Sequence, residues 1–178
     1  ARALGAQVIF YDRRTENREE MSREIAKEKN LVIINPYDAL ETIYGQGTAA
    51  YEVIHDANNP KLDNAIICAG GGGLTAGSCI SIKHINPQCN VFTAEPEEWN
   101  DHQLSFEKNE RVAMDINRGG LCDGLLTPTP GEIPFAINTH FGVKGLSASD
   151  QAVCEAMRFA FNRLNLKLEP SGAVALAC

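Results

Sequence analysis

The sequence has few basic residues for its length, and they form no cluster. Its 178 residues include 16 Lys and Arg against 23 Asp and Glu, which gives a formal net charge of −7. Nucleic acids and anionic lipid surfaces attract proteins through concentrated positive charge. We therefore expect neither nucleic acid nor membrane to be the main partner of this chain.

Long apolar runs and paired cysteines are also missing. Although 44% of the residues are hydrophobic, no apolar stretch comes near the roughly 20 residues that span a bilayer. The six cysteines (68, 79, 89, 122, 154 and 178) include no C-x-x-C pair and no histidine spacing suited to zinc. Several fall in apolar patterns, and buried free thiols are typical of a reducing compartment. The sequence thus predicts a cytoplasmic protein.

Short apolar strands alternate with helical segments through the first hundred residues. Strands are predicted at 7–11, 31–34, 65–69 and 90–94, and helices at 17–28, 47–56 and 74–84. Asn17 and Ser149 have the side chains of helix N-caps. In the helix that Ser149 would begin, over 150–164, Met157 and Phe161 are expected in the core. The alternation predicts an α/β fold with an open, mostly parallel sheet and helices on both faces.

Four consecutive glycines, Gly70 to Gly73, separate a predicted strand from a helix that opens at Leu74. Glycine permits positive φ and lets the backbone approach a ligand closely. The free N–H groups at a helix N-terminus then face that ligand. The next basic residue is Lys83, so backbone N–H groups rather than an ion pair would hold an anion. The loop is predicted to bind phosphate; the alternative is a glycine-rich surface turn.

A dinucleotide is one phosphate ligand that suits this loop. Gly71, Gly73 and Ala76 match G-x-G-x-x-A, and Glu95 ends the next strand, at a suitable distance to reach a ribose hydroxyl. Two strand–helix units precede the motif, however, whereas this fingerprint usually opens its domain. A nicotinamide-dependent oxidoreductase stays open as an alternative chemistry, and a non-catalytic binding fragment as an alternative class.

A series of five motifs runs in one order along the chain. They are Gly45-Gln-Gly-Thr48, Gly70-Gly-Gly-Gly-Leu74, Thr93-Ala-Glu-Pro96, Cys122-Asp-Gly124 and Glu169-Pro-Ser-Gly172. With these motifs the chain resembles the fold-type II (tryptophan-synthase-beta-like) pyridoxal-phosphate enzymes, specifically the threonine/serine dehydratase and serine racemase group. The resemblance implies that residues 1–36 form the second part of a small domain. Residues 37–178 would be most of the large, cofactor-binding domain.

The resemblance also implies a cofactor site and an activity. The phosphate of pyridoxal phosphate would be held by Gly70, Gly71, Gly72, Gly73 and Leu74, with Gly124 and Glu169 beside the cofactor. The reaction would be a β-elimination that dehydrates and deaminates a β-hydroxy amino acid such as threonine or serine to a 2-oxo acid and ammonia. Serine racemase and hydroxyaspartate dehydratase are the alternatives within the group. The intact enzyme would be a homodimer.

No catalytic residue is assigned, because the family's Schiff-base lysine is absent from this chain. Family members carry it in a Ser-x-Lys-x-Arg segment, and that segment does not occur here. Lys27, Lys29 and Lys61 lie in polar contexts, whereas a nucleophilic lysine must be desolvated or otherwise activated. We expect the chain to be a fragment of an ammonia-lyase that is inactive alone.

A divalent cation site is a further implication of the resemblance. Carried over residue by residue, it would consist of Glu95, the carbonyl of Trp99 and Asp101, which suit Mg²⁺ or Ca²⁺ because both prefer oxygen ligands. The alternative is a solvated acidic turn. Nearby His102 is expected at the surface, and Ser171 is expected to be a helix N-cap.

Overall fold

The computed structural model describes residues 1–56 and 62–178, and it divides into two compact units, residues 1–34 and 35–178. In the first unit, helix α1 (Arg18–Lys29) begins after Asn17, whose side chain accepts the N–H groups of Glu19 and Glu20. The predicted cap at Asn17 is confirmed. The unit boundary lies two residues before the predicted one; the assignment to a small and a large domain stays a prediction.

Neither predicted strand of the first unit forms. Residues 7–11 and 31–34 have no strand pairing among the described residues, and Phe10, Val32 and Ile34 are largely exposed. An apolar run becomes a strand only where a neighbour supplies backbone hydrogen bonds, and strand propensity depends on that packing. These two predictions were wrong because the sequence pattern reports apolarity and not the presence of a partner.

The second unit contains six helices and three strands among its described residues. They are α2 (Leu40–Asp56), β1 (Asn64–Cys68), α3 (Gly73–Ile85), β2 (Asn90–Pro96), α4 (Asp101–Lys108), α5 (Glu132–His140), β3 (Lys144–Ala148), α6 (Asp150–Phe159) and α7 (Pro170–Ala177). Short 3₁₀ turns lie at Glu97–Trp99 and Asp123–Leu125. No helix in the described part of the chain is long and apolar enough to cross a bilayer.

The three strands form one parallel sheet with β2 in the middle. Successive side chains of a strand point to opposite faces. Val91 accordingly packs with Ile54 and Ile82 from α2 and α3, whereas Ala94 packs with Val153 and Val174 from α6 and α7. Helices therefore cover both faces, and the predicted α/β fold with a parallel sheet is confirmed.

The long helix predicted over 150–164 changes character near its end. Ser149 caps α6 as predicted, accepting the N–H of Ala152. After Phe159 the chain continues as a π-helical turn, Ala160–Leu164. A π turn takes an extra residue, which rotates the following side chains away from the packed face. Phe161 is therefore 64% exposed and its predicted place in the core was wrong, whereas Met157 is partly buried against the core.

Candidate functional site

The four glycines lie between β1 and α3, as the sequence predicted. Gly72 is the N-cap of α3 and has a φ of 88°, a left-handed conformation that favours glycine. No side chain caps this helix. The first N–H groups of α3 therefore have no capping partner, and such groups form a ready site for an anion.

Three successive carbonyl groups of this loop are hydrogen-bonded to the protein. Gly70 O lies 2.9 Å from His102 Nε2, Gly71 O accepts the N–H of Gly131 at 3.0 Å, and Gly72 O accepts the N–H of Ala76 at 2.9 Å. A trans peptide directs its C=O and its N–H to opposite sides. The N–H groups of residues 71, 72 and 73 therefore point away from these partners, which leaves them available to a ligand.

Two aromatic rings pack directly on the loop. A Cβ atom on Gly71 would overlap the ring of Tyr37, and one on Gly72 would overlap the ring of His102. The glycines are thus required by close packing inside the protein as well as by a ligand. Sequence reasoning did not assign either ring to this loop, because both are distant from it along the chain.

The other predicted cofactor residues lie beside Gly70. A Cβ on Gly70 would lie 3.5 Å from Gly124 O, and a Cβ on Gly124 would lie 4.0 Å from Glu169 Oε1. The N–H of Gly124 donates to Ser171 Oγ at 2.9 Å. The structure thus brings Gly70, Gly124 and Glu169 together. Ser171 lies within α7, whose N-cap is Glu169, so its predicted role as a cap was wrong; its hydroxyl binds the Gly124 turn.

Leu74 differs from the glycines because its side chain leaves the loop. It lines an apolar cavity of about 450 Å³ beside β1, together with Val53, Ile67 and Ala175. Its backbone N–H belongs to the first turn of α3. Any contact of Leu74 with a phosphate would therefore be made by its main chain.

Glu95 and Asp101 are both buried, with 0% and 1% of their surfaces exposed. The carboxylate of Glu95 accepts the N–H groups of His102 at 2.8 Å and of Gln103 at 2.9 Å, so it caps α4 from the end of β2. Asp101 Oδ2 has no hydrogen-bond partner. The alternative of a solvated acidic turn was wrong for these two residues, and a capping, buried Glu95 is poorly placed to reach a ribose hydroxyl.

The acidic pair has raised pKa values. Burial, together with the adjacent charge of Asp101, raises the pKa of Glu95, and burial raises the pKa of Asp101 to about 8. Two adjoining buried carboxyl groups cannot both be ionised at neutral pH without positive charge beside them. A shared proton or a bound cation would meet this need.

The ring of Trp99 fixes the turn between these two acids. It is fully buried, and its Nε1 donates to Gly119 O at 3.0 Å. Within residues 1–56 and 62–178, no group of three or more His, Cys, Asp and Glu side chains is arranged to hold a metal. Glu95 and Asp101 are only a pair, and a third ligand from the Trp99 carbonyl stays a prediction.

His102 is buried, so its predicted place at the surface was wrong. Its ring lies between the glycine loop and Phe106, with ring centroids 5.8 Å apart in the histidine–phenylalanine pair. Burial lowers the pKa of His102 to about 4, so the ring is neutral at physiological pH. No local signal in the sequence indicates this contact, since a histidine in the polar first turn of a helix is usually solvated.

Comparison with known proteins identifies the family. Residues 1–178 match the family described as pyridoxal-phosphate dependent enzymes. The chain belongs to this family. The serine racemase of Schizosaccharomyces pombe is 37% identical over 99% of this chain and 54% of that protein. The L-threo-3-hydroxyaspartate ammonia-lyase of Saccharomyces cerevisiae is 36% identical over 97% of this chain and 52% of that protein.

A solved structure agrees with the family assignment. A threonine deaminase from the organism abbreviated T.th. superposes with a TM-score of 0.90 and 32% identity, covering 99% of this chain and 58% of that chain. The resemblance drawn from the five motifs, and the fold-type II architecture that it implied, are both confirmed. The chain spans about half the length of the curated relatives it matches.

Proposed function

We propose that this chain belongs to an ammonia-lyase that uses pyridoxal phosphate to dehydrate and deaminate a β-hydroxy amino acid such as threonine or serine. The observation that carries the proposal is the loop at residues 70–74, where an uncapped helix N-terminus follows three peptide units whose carbonyl groups all face the protein. Such a loop suits the phosphate of this family's cofactor. Relatives named as a serine racemase and a hydroxyaspartate ammonia-lyase support these two activities as alternatives.

The chain's own residues would hold and orient the cofactor. Backbone N–H groups of the loop would bind the phosphate, and Gly124 and Glu169 would lie beside the cofactor, where the hydroxyl of Ser171 fixes the Gly124 peptide. A Cβ on Gly124 would meet Ser171 Oγ at 2.9 Å, so only glycine fits there. When bound, pyridoxal phosphate supplies an electron sink for charge that develops at the substrate α-carbon.

The activity can be tested with the full-length enzyme that contains this sequence. We expect it to form 2-oxobutanoate from threonine, or pyruvate from serine, with release of ammonia. The 178-residue chain alone should form neither above the rate with free cofactor, since it can bind the cofactor phosphate but lacks the activated lysine. Turnover by the isolated chain would contradict the assignment. Chiral chromatography of serine would reveal racemisation instead.

We further propose that Glu95, the Trp99 carbonyl and Asp101 bind Mg²⁺ or Ca²⁺. Support comes from the unpartnered, buried Oδ2 of Asp101 beside a second buried carboxylate, since both cations take oxygen ligands. A cation there would compensate the buried negative charge and link β2 to α4.

Millimolar Mg²⁺ or Ca²⁺ should raise the melting temperature of the full-length enzyme. Binding to the folded state alone stabilises it by about 2.7 kcal/mol at a hundredfold excess over the dissociation constant. Asp101→Asn should abolish the response, whereas Glu97→Gln, which changes an exposed acid of the same loop, should keep it. Identical melting curves with the cation and with chelator would favour a shared proton in place of the metal.

The remaining features are proposed on weaker physical grounds. All six cysteines are free, which supports a reducing compartment such as the cytoplasm. A small amino acid as substrate fits the relatives, and a net charge of −7 argues against nucleic acid as a partner. Size-exclusion chromatography with light scattering would test the homodimer that we expect of the intact enzyme.

A further inference from the structure

We propose that His102 is a positioning residue for the phosphate loop, which acts by donating a hydrogen bond from Nε2 to the carbonyl of Gly70. The inference rests on the proposed function, because it needs a phosphate at the loop. It extends that function by assigning a role to a residue outside the glycine motif. His102 would not touch the phosphate itself.

The geometry fixes which ring nitrogen carries the proton. His102 Nε2 lies 2.9 Å from Gly70 O, and a carbonyl oxygen can only accept. Nε2 must therefore be the donor. His102 Nδ1 is buried and has no hydrogen-bond partner, so the ring gains nothing by moving the proton to that atom.

This hydrogen bond controls the direction of a neighbouring N–H group. The carbonyl of Gly70 and the N–H of Gly71 belong to one planar trans peptide and point to opposite sides. Holding the carbonyl against His102 therefore keeps the Gly71 N–H turned toward the side on which the phosphate would lie. A glycine peptide is otherwise unusually free to rotate, and a freely rotating peptide would present its carbonyl oxygen, which repels an anion.

The histidine ring is itself held in place. Its main-chain N–H donates to Glu95 Oε1 at 2.8 Å, and its ring packs between Phe106 and Gly72. Of the three groups that hold the loop carbonyls, two are main-chain N–H groups and His102 is the side chain. It is thus the one of the three that a substitution can remove without changing the backbone.

The test compares two ligands of the full-length enzyme, pyridoxal phosphate and pyridoxal, which lacks the phosphate. Their affinities for the apoenzyme are measured by absorbance titration. We expect the wild type to prefer the phosphorylated ligand strongly. His102→Phe, which keeps a ring but no donor, should weaken pyridoxal phosphate about tenfold, the effect of one neutral hydrogen bond. Pyridoxal binding should stay unchanged.

Two further variants complete the design. His102→Gln offers an amide N–H and should restore most of the preference, and His84→Phe, the same change at an exposed position of α3, should leave both affinities as they were. Equal weakening of the two ligands by His102→Phe would mean a purely structural role and overturn the inference. A wild type without preference for the phosphate would instead refute the proposed phosphate site.

A measurement on the wild type keeps the inference falsifiable if His102→Phe does not fold. Spectra of protein labelled with ¹⁵N-histidine distinguish a ring protonated at Nε2 from one protonated at Nδ1. We expect the Nε2–H form for His102, in the protein with and without cofactor. A ring protonated at Nδ1 alone could not donate to Gly70 and would overturn the inference.

Discussion

Gly72→Ala should abolish cofactor retention by the full-length enzyme. Gly72 has a φ of 88°, and a side chain in this left-handed region costs about 1–2 kcal/mol. A Cβ there would also overlap the ring of His102, and such overpacking typically costs a further 1–3 kcal/mol or so. Because His102 holds the carbonyl of Gly70, moving its ring should also release the loop.

Gly142→Ala is a matched control for this substitution. Gly142 also has a positive φ, 68°, but no atom lies within 4 Å of the Cβ position. Gly142→Ala should therefore destabilise the enzyme by about 1–2 kcal/mol through backbone strain alone and retain the cofactor. Cofactor is measured by absorbance after gel filtration, and stability by urea denaturation. Equal cofactor content in the two variants would contradict the assigned role of the loop.

The glycine loop could be predicted from sequence because its signal is local. An apolar strand, four glycines and a helical pattern follow one another within residues 65–84, and each part has its own physical preference. The cap at Asn17 and the cap at Ser149 were predictable for the same reason, since a capping side chain binds N–H groups two or three residues away.

The contacts that fix the site could not be predicted, because they join distant parts of the chain. Tyr37 and His102 both pack on the loop, and the carboxylate of Asp38 accepts the N–H groups of Glu132 and Ile133 at the start of α5. No periodicity in the sequence records a partner so far along the chain. The same limit explains Phe161, since nothing in the helical pattern announced the π turn that exposes it.

Gly47→Ala should destabilise the protein strongly, although alanine is the better helix former. Helices α2 and α3 meet backbone to backbone at Gly47 and Gly77, and a Cβ on Gly47 would lie 2.6 Å from Gly77 O and 2.8 Å from Gly77 C. Main-chain atoms cannot turn aside as a flexible side chain can, so the helices must separate. We expect a loss of about 3 kcal/mol. The hydrogen bond from Ser81 Oγ to Gly47 O, 2.8 Å long, crosses the same contact and would be strained.

Gly45→Ala provides the control within the same helix. No atom lies within 4 Å of the Cβ position of Gly45, so alanine should stabilise α2 by about 0.5–1 kcal/mol through its higher helix propensity. Two glycines separated by one residue should thus give effects of opposite sign in urea denaturation. Cofactor affinity should fall in Gly47→Ala as well, because α3 carries the phosphate loop at its N-terminus and would move with the separating helices. Stabilisation by both substitutions would show that the helices do not meet at Gly47, and the loop would then need another support.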